Sequence, residues 1–479
     1  MLIRGAEVAG RMLDVRCEDG RVRELAASLS PRAGEEILEA RAGALIPGLH
    51  DHHIHLHALA AALTSIRCGP PEVKNLSDLE RALAVEPDEG GWLRGTGYFE
   101  SVAGPLDRAR LDRLRGDLPV RVQHRSGAMW FLNSRALEAL SIADLTSPDE
   151  ACSDAEVATF ERDARGRATG RLFRADAWLR HRLPTANPPD LARVGRRLSA
   201  YGVTTVTDAT ATNGPNEASR FRAAQASGAL LQNLSLMGTL GQRGLGEGMD
   251  SALRLDAHKI MLDEPTLPDL ERLVETIEVA HANDRPVAIH TVTRTELHFA
   301  LAALESAGVR DGDRLEHASV APPEAIETVA RLDLTVVTQP NFLAERGDAY
   351  RENVEARDLP HLYRVRSWLA AGVRLGAGTD APFGHPDPWR AMRAAVDRRT
   401  PSGETLGSEE RVSPETALAL FQPAFARDAQ PARATAPALH VGGPADLCLL
   451  AVPWRRARLD LSSDHVAATL RRGALIFSS

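Results

Sequence analysis

This sequence is short of several features that would point to particular classes of protein. Its 479 residues include four cysteines, none in a CxxC pair, which argues against a disulfide framework or a thiolate metal site. No apolar run approaches the roughly 20 residues that a membrane-spanning helix needs. The net charge is -8 and aromatic residues make up 4% of the chain, without a basic stripe, so nucleic acid is not an expected partner. No basic, apolar leader opens the sequence, and a cytoplasmic location is the default expectation.

Lysine is also scarce. Lysine and arginine together number 57, and Lys74 and Lys259 are the two lysines, which leaves 55 arginines. A lysine kept in such a chain suggests chemistry that arginine cannot supply, because a buried lysine loses its proton readily and a guanidinium does not. Lys74 lies in a polar segment and needs no such explanation. Lys259 is therefore a candidate functional residue.

Histidine, by contrast, is concentrated in one segment. Five of the 16 histidines lie in residues 47–57, after an apolar strand and a Pro47-Gly48 turn. Residues two apart on a strand share a face, so Asp51, His53 and His55 project together, and two such imidazoles can hold one metal ion. The internal position of the run favours this interpretation over a surface tract. Three histidines of the run have no assigned role: His50, His52 and His57.

The sequence pattern at the two ends of the chain is typical of a small β-domain. Short apolar runs separated by turns predict strands within residues 1–46 and again within 435–479. We therefore expect one small β-sandwich domain that is built from both termini.

The middle of the chain alternates short apolar runs with stretches of helical periodicity, which favours a parallel (β/α)8 TIM-like barrel over residues 47–434. Residues at about 69–190 do not fit the repeat and predict a large insertion after the first barrel strand. The predicted strands after the histidine-rich one are 202–207, 231–236, 258–262, 287–290, 314–317, 334–338 and 373–377.

Polar residues stand at the ends of several predicted barrel strands. Side chains at the C-terminal ends of barrel strands converge on one site. The candidates at these ends are His53, His55, Lys259, His290, His317 and Asp380. A single buried histidine is more often a packing residue than a ligand, but packing does not readily account for such residues on five strand ends.

These motifs resemble the amidohydrolase superfamily of metal-dependent hydrolases, and within it the branch that contains N-substituted formamide deformylase. The matching stretches run in order through most of the chain, from Pro47-Gly48 through Glu316-His317 to Gly378-Thr379-Asp380. The resemblance implies that His53, His55 and Asp380 hold one divalent metal ion. It implies that His290 and His317 hold a second, and that Lys259, N6-carboxylated by carbon dioxide, bridges the two.

The resemblance also implies the reaction, which is hydrolysis of an amide-like C–N bond by metal-activated water, with Asp380 as general base. The expected substrate is a small molecule: an N-acyl or N-formyl amine, a urea or a carbamate. Zinc is the metal expected first, although nickel, cobalt, manganese and iron also suit these ligands. Related barrels often form dimers, so a homodimer is one expectation. Asp51 is a candidate for orienting one of the histidine ligands.

The sequence departs from the family pattern around the expected substrate pocket, for example at Ser126-Gly127-Ala128 and Thr293-Arg294. The substrate is therefore not specified. Candidate substrate-binding residues are His124, Trp130 and Gln339, and packing roles are equally open for all three.

Two other functions remain open. One is a mononuclear deaminase or ring-substituent hydrolase of the same superfamily, in which Lys259 would be structural and paired with Asp263 or Glu264. Such relatives carry a glutamate shortly after the histidine of the fifth strand, and Glu296 is too far from His290 for that spacing. The other is an inactive barrel used in assembly, which the complete ligand set disfavours.

Overall fold

The structure, a computed structural model, describes residues 1–88, 90–141, 160–183, 189–239, 252–426 and 439–479. The chain divides into two compact units: Met1–Leu56 with Leu191–Ser479, and His57–Asp190. None of the helices described is long and apolar enough to cross a membrane.

Numbered along the chain, the strands are β1 (Leu2–Val8), β2 (Arg11–Glu18), β3 (Arg21–Ala26), β4 (Ile37–Glu39), β5 (Leu45–Pro47), β6 (Leu49–Ile54), β7 (Ile66–Arg67), β8 (Leu93–Tyr98), β9 (Val120–His124), β10 (Met129–Leu132), β11 (Phe160–Arg162), β12 (Ala168–Phe173), β13 (Val203–Asp208), β14 (Asn233–Gly238), β15 (Leu253–Ile260), β16 (Val287–Thr291), β17 (Arg314–His317), β18 (Thr335–Thr338), β19 (Arg374–Ala377), β20 (Leu447–Leu450), β21 (Val466–Arg471) and β22 (Ala474–Ser478). The α-helices are Leu56–Leu63, Leu76–Leu83, Glu100–Ala103, Arg108–Leu114, Ser134–Ala139, Asp176–Arg182, Leu191–Ala200, Pro215–Ala226, Leu270–Ala282, Arg294–Ala307, Pro323–Arg331, Asn341–Asn353, Arg366–Ala370, Pro388–Asp397, Pro414–Ala419 and Trp454–Ala457.

Both termini contribute to a small β-sandwich, as predicted. One sheet has the strand order β3-β2-β1-β4 and the other the order β22-β21-β20-β5. Apolar side chains from both sheets, among them Ile3, Val15, Leu447 and Leu470, pack in one buried cluster. The sandwich therefore holds the start and the end of the chain together.

The centre of the first unit is the predicted parallel barrel. Eight strands follow one another in the order β6-β13-β14-β15-β16-β17-β18-β19, and every neighbouring pair is parallel. The segment after β19 meets β6, since the Asp380 backbone amide donates to the His53 carbonyl oxygen at 2.8 Å. A Cβ at Gly378 would lie 2.5 Å from the His53 backbone nitrogen, so glycine permits this approach. The (β/α)8 fold is confirmed.

The helix that follows β16 shows how an apolar stripe and a capped start produce a helix at the barrel wall. The helix Arg294–Ala307 has Thr293 as its N-cap, and the Thr293 hydroxyl accepts from the Glu296 backbone amide. The Glu296 carboxylate in turn accepts from the Thr293 backbone amide, which completes a capping box. Its buried residues, including Leu297 and Leu301, recur at helical spacing and face inward.

The second unit, His57–Asp190, follows the first barrel strand and is the predicted insertion. Its sheet has the order β11-β12-β10-β9-β8-β7 and mixes parallel and antiparallel pairs. One apolar cluster includes Val122 and Phe131, and a separate one includes Trp92 and Trp130.

The predicted domain boundaries, 1–46 with 435–479, 47–434, and about 69–190, stay predictions, and the boundary at 434/435 lies outside the described residues. Two strands of the sandwich were not predicted. β4 is three residues long, and β21 is rich in alanine, so its pairing with β20 and β22 and not its own propensity makes it a strand.

Candidate metal centre

The C-terminal ends of the barrel strands bring three predicted ligands together. His53 lies on β6, His317 ends β17, and Asp380 follows β19. One ligand atom from each lies within 4.8 Å of the other two, and all three residues are buried. His55, one residue past β6, places its Nε2 atom 3.1 Å from Oδ1 of Asp380. An imidazole and carboxylate set of this kind fits a divalent metal ion.

The backbone turns sharply at two of these positions. His317 has a φ angle of 67°, the following Ala318 has 43°, and Asp380 has 53°. Residues other than glycine seldom adopt this left-handed region, and each such residue costs roughly 1 kcal/mol or more. The turn after β17 redirects the chain at His317, the residue that the site uses.

His53 is held by a charged pair on the neighbouring part of the barrel. Its Nδ1 atom donates to the carboxylate of Glu316, which also accepts from the guanidinium of Arg314. Arg314 donates a further hydrogen bond to the His52 carbonyl oxygen at 2.9 Å. The carboxylate keeps the proton of His53 on Nδ1, which leaves Nε2 free to bind a cation.

The other two histidines follow the same rule. Nδ1 of His317 donates to Oε1 of Gln339 at 2.7 Å. Nδ1 of His55 lies 2.8 Å from the hydroxyl of Thr210. In each ring a residue outside the predicted ligand set engages Nδ1, while the Nε2 atoms of His53 and His55 lie 3.5 and 3.1 Å from Oδ1 of Asp380.

Burial sets the charge of the cluster. It lowers the pKa of His53, and it lowers the pKa of His317 to about 3, so both imidazoles are in the neutral form that binds metals. Burial opposes ionisation of Asp380, but the neighbouring His53, His55 and His317 outweigh it and hold the pKa of this carboxyl well below its usual range. Asp380 is therefore a carboxylate at neutral pH.

Lys259 stands near the end of β15 and is 4% exposed. Its Nζ atom has no hydrogen-bond partner among the described residues, so it does not pair with Asp263 or Glu264. Burial lowers the pKa of Lys259 to about 8, although nearby Glu316 opposes this. An amine in this state is partly neutral at neutral pH, which a nucleophilic lysine requires.

His290 completes the predicted set from β16. Its ring centroid lies 4.4 Å from that of His317, and the side chain is half-buried. His290 therefore adjoins the cluster of His53, His317 and Asp380 on the side of β16.

Asp51 lies on the same face of β6 as His53 but does not bind a histidine ring. Oδ1 accepts from the backbone amides of His53 at 3.2 Å and Thr379 at 3.0 Å, and Oδ2 accepts from the Thr379 hydroxyl at 2.5 Å. Burial raises the pKa of Asp51 to about 7, while these hydrogen bonds lower it. Asp51 ties β6 to the segment after β19, and Glu316 is the residue that orients a histidine.

The remaining histidines of the run have other surroundings. Nε2 of His50 lies 2.9 Å from the Thr207 hydroxyl, and Nε2 of His52 lies 2.8 Å from the Gln422 carbonyl oxygen. Both are buried, and burial lowers the pKa of each. They are packing residues of the barrel wall. His57 lies in the helix Leu56–Leu63 and belongs to the second unit.

The predicted substrate-binding residues fall in both units. Gln339 is buried in the barrel and holds His317. His124 and Trp130 lie in the second unit, where Nε1 of Trp130 donates to Asp176 at 3.0 Å and Nδ1 of His124 lies 2.7 Å from the Ser126 hydroxyl. A substrate contact for any of the three stays a prediction.

Sequence reasoning named Glu316 only as part of the Glu316-His317 motif, without a role, and it did not single out Arg314 or Thr210. Arg314 and Glu316 stand two apart on a fully buried strand and share its face. Two charged residues on one face of a buried strand were the signal that could have identified them, because such charges need partners.

Comparisons with known proteins identify the family and the fold of this chain. A model described as the amidohydrolase family matches residues 36–477. An N-substituted formamide deformylase of Arthrobacter pascens is 27% identical, over 81% of this chain and 79% of that protein. A putative amidohydrolase of Bacillus subtilis (strain 168), YtcJ, is 25% identical, over 76% of this chain and 75% of its own length. An uncharacterized metal-dependent hydrolase from Pyrococcus horikoshii OT3 has the same fold, with a TM-score of 0.71, 18% identity and coverage of 97% and 99% of the two chains.

Proposed function

The chain belongs to the amidohydrolase family, and from that premise we propose that it hydrolyses an amide-like C–N bond in a small molecule. The bond is that of an N-acyl or N-formyl amine, a urea or a carbamate. The observation that carries the proposal is the meeting of His53, His317 and Asp380 within 4.8 Å at the ends of barrel strands. The likeness to a protein named for N-substituted formamides supports N-formyl amines as the first candidates.

We propose that His53, His55 and Asp380 hold one divalent ion and that His290 and His317 hold a second. Zinc is the first candidate for both. When bound, such ions act as Lewis acids that lower the pKa of water and polarise a carbonyl group. The free Nε2 atoms of His53 and His317 support this assignment, since each Nδ1 is already engaged by a protein acceptor.

Lys259 is the proposed bridge between the two sites. Its neutral amine would add to the carbon of carbon dioxide and release one proton, which gives a carbamate anion whose oxygen atoms could hold the metal ions. The buried and unpartnered Nζ atom supports this proposal, because a buried ammonium without a partner is costly and a carbamate between two cations is not.

Asp380 is the proposed proton carrier. Its carboxylate is ionised and lies beside both His53 and His55. It accepts the proton of the attacking water, and the protonated form then donates it to the nitrogen of the leaving amine. Glu316, Gln339 and Asp51 hold their hydrogen-bond partners in place around this carboxylate.

The alternative of a mononuclear deaminase would need a glutamate as proton shuttle. Glu296 is buried, and its two oxygens accept backbone amides: Oε1 from Glu264 at 2.9 Å and Oε2 from Val292 at 2.7 Å. A carboxylate engaged in this way serves the loops after β15 and β16. The reading as a C–N hydrolase of the amide class is therefore the better supported.

A substrate panel tests the proposed function. The metal-loaded protein would be given N-formyl amines, N-acyl amines, ureas and carbamates, and in parallel amino- and chloro-substituted aromatic rings. We expect amine release from the first group, loss of it on chelation, and return of it with divalent ions and bicarbonate. Ammonia or halide release from the rings alone would contradict the proposal. The cytoplasmic location and the homodimer stay predictions.

A further inference from the structure

Two arginines in the second unit form an unusual pair. Arg94 on β8 and Arg121 on β9 are register partners on neighbouring parallel strands, so their side chains leave the same face of the sheet side by side. Like charges placed directly across two strands destabilise a sheet. The pair therefore needs a compensating interaction.

Aromatic rings supply only part of the interaction that compensates for the two like charges. The guanidinium carbon of Arg121 lies 5.9 Å from the ring centroid of Trp92 and 5.7 Å from that of Trp130, and that of Arg94 lies 5.5 Å from Trp130. Both indoles are buried. Cation–π contacts of this kind contribute about 0.5–2 kcal/mol, but they do not use the N–H donors of a guanidinium.

Few of the guanidinium N–H donors of Arg94 and Arg121 form hydrogen bonds to other described residues. Within the described part of the chain, Arg94 donates to the Ser65 hydroxyl, Arg121 Nε is buried without a hydrogen-bond partner, and neither guanidinium forms a salt bridge. Burial and the neighbouring Arg121 lower the pKa of Arg94 to about 10. Both cations are nevertheless charged at neutral pH.

The acidic residues nearby are occupied by other donors. Asp176 accepts from Trp130 Nε1 at 3.0 Å and Gln123 Nε2 at 3.5 Å. Asp88 accepts from the backbone amides of Gly90 at 3.0 Å and Trp92 at 2.9 Å. All four bonds use Oδ1, and each carboxylate offsets part of the positive charge of the arginines without forming a salt bridge with either of them in the described part of the chain.

Other buried arginines of this protein are satisfied differently. Arg364 pairs with the carboxylate of Glu410 at 2.7 Å. Arg314 pairs with Glu316, and Arg398 donates to three backbone carbonyl oxygens at 2.8–2.9 Å. Arg94 and Arg121 lack such acceptors among the described residues, and both side chains are half-buried.

We propose that Arg94 and Arg121 form a binding site for a small oxyanion, a carboxylate or a phosphate group, in the second unit. Two guanidiniums side by side present forked donors to such a group, and the surrounding indoles strengthen the attraction by excluding water. The residues of this site all belong to the second unit, and the inference does not rest on the function proposed for the metal centre.

Titration of the full-length, metal-loaded protein tests the site. Phosphate and benzoate would be added separately, and binding followed by calorimetry and by tryptophan fluorescence, which reports Trp92 and Trp130. We expect a Kd of about 1 mM or tighter for at least one anion. Preference for phosphate or for benzoate identifies the source of the oxyanion.

Variants locate the binding. Arg94→Met and Arg121→Met keep much of the aliphatic stem, and each should weaken binding at least about tenfold, whereas Arg113→Met on the exposed face of the helix Arg108–Leu114 should leave it unchanged. If a methionine variant unfolds, Arg121→Lys, which keeps the charge but loses the fork, should show intermediate affinity. Absence of binding, or binding unchanged in the arginine variants because the anion sits on the metals, would overturn the proposal.

Discussion

The two sides of the candidate metal centre differ in how the protein holds their donor groups. On the side of β6 and β17, His53 and His317 each have Nδ1 engaged by a buried acceptor, Glu316 or Gln339. On the side of β15, the Nζ atom of Lys259 has no partner in the described structure. One side is preorganised by the fold, and the other needs chemistry that the folded chain alone does not supply.

This contrast separates two requirements of a binuclear centre. Donors that are already oriented bind a first ion without rearrangement of the protein. A lysine becomes a ligand only after carboxylation, so binding of the proposed second ion would depend on carbon dioxide as well as on the fold. Substitutions on the two sides should therefore have different consequences, which the following predictions order from the largest effect to the smallest.

Asp380 is the proposed proton carrier, and its substitution should have the largest effect. Asp380→Asn should lower kcat by about 10²–10⁴-fold with metal retained, because the proton carrier is lost. Steady-state kinetics and metal analysis of the same preparation measure this. Asp387→Asn is the matched control, since Asp387 caps the helix Pro388–Asp397 and asparagine is also a good cap. Full activity of Asp380→Asn would refute the assigned role.

Lys259→Met should remove the second ion and spare the first. The content should fall from about two metal ions per chain to about one, because the bridging ligand is gone while His53, His55 and Asp380 remain. Lys74→Met, at the other lysine of the chain, should keep both. The prediction fails if Lys259→Met still holds two ions under the same conditions.

Glu316→Gln should weaken the preorganised side. Affinity for the first ion should fall about 10–100-fold, because an amide oxygen holds the His53 proton on Nδ1 less strongly than a carboxylate does and leaves Arg314 without its charged partner. Competition with a chelator of known affinity measures the change. Glu296→Gln alters another buried carboxylate, one that binds backbone amides, and should reduce stability without reducing metal affinity. Equal losses of metal affinity in both variants would show only general destabilisation.

Asp51→Asn should have the smallest effect. The amide oxygen can still accept from the backbone amides of His53 and Thr379. The bond from the Thr379 hydroxyl to Oδ2 is lost, so we expect the unfolding free energy to fall by about 1–2 kcal/mol. Metal content and kcat should change little. Denaturant unfolding of the protein provides the measurement, and loss of metal from this variant would mean that Asp51 contributes more than a tie between strands.

Much of the fold could be predicted because its strands and helices have strong periodic patterns. The His-rich strand and the strand ending at His317 were placed correctly, and they brought His53 and His317 to one end of the barrel. β15 begins at Leu253, five residues before the predicted start, because Arg254 and Asp256 interrupt the apolar pattern and pairing with β14 extends the strand.

The contacts that support the site could not be predicted in the same way. Glu316 and His53 are 263 residues apart in the chain, and their meeting depends on the register of the closed barrel and on the turn at His317. The sequence pattern identified which residues carry metal-binding chemistry. The partners of those residues follow from pairing between distant strands, which a single sequence does not specify.

The most direct test of this account is the metal content per chain, measured by elemental mass spectrometry on protein purified without chelators and without a histidine tag. The account predicts about two divalent ions per chain, with zinc the first candidate. About one ion would contradict the bridge at Lys259. No ion, and none taken up on addition of divalent metal and bicarbonate, would contradict the metal centre itself.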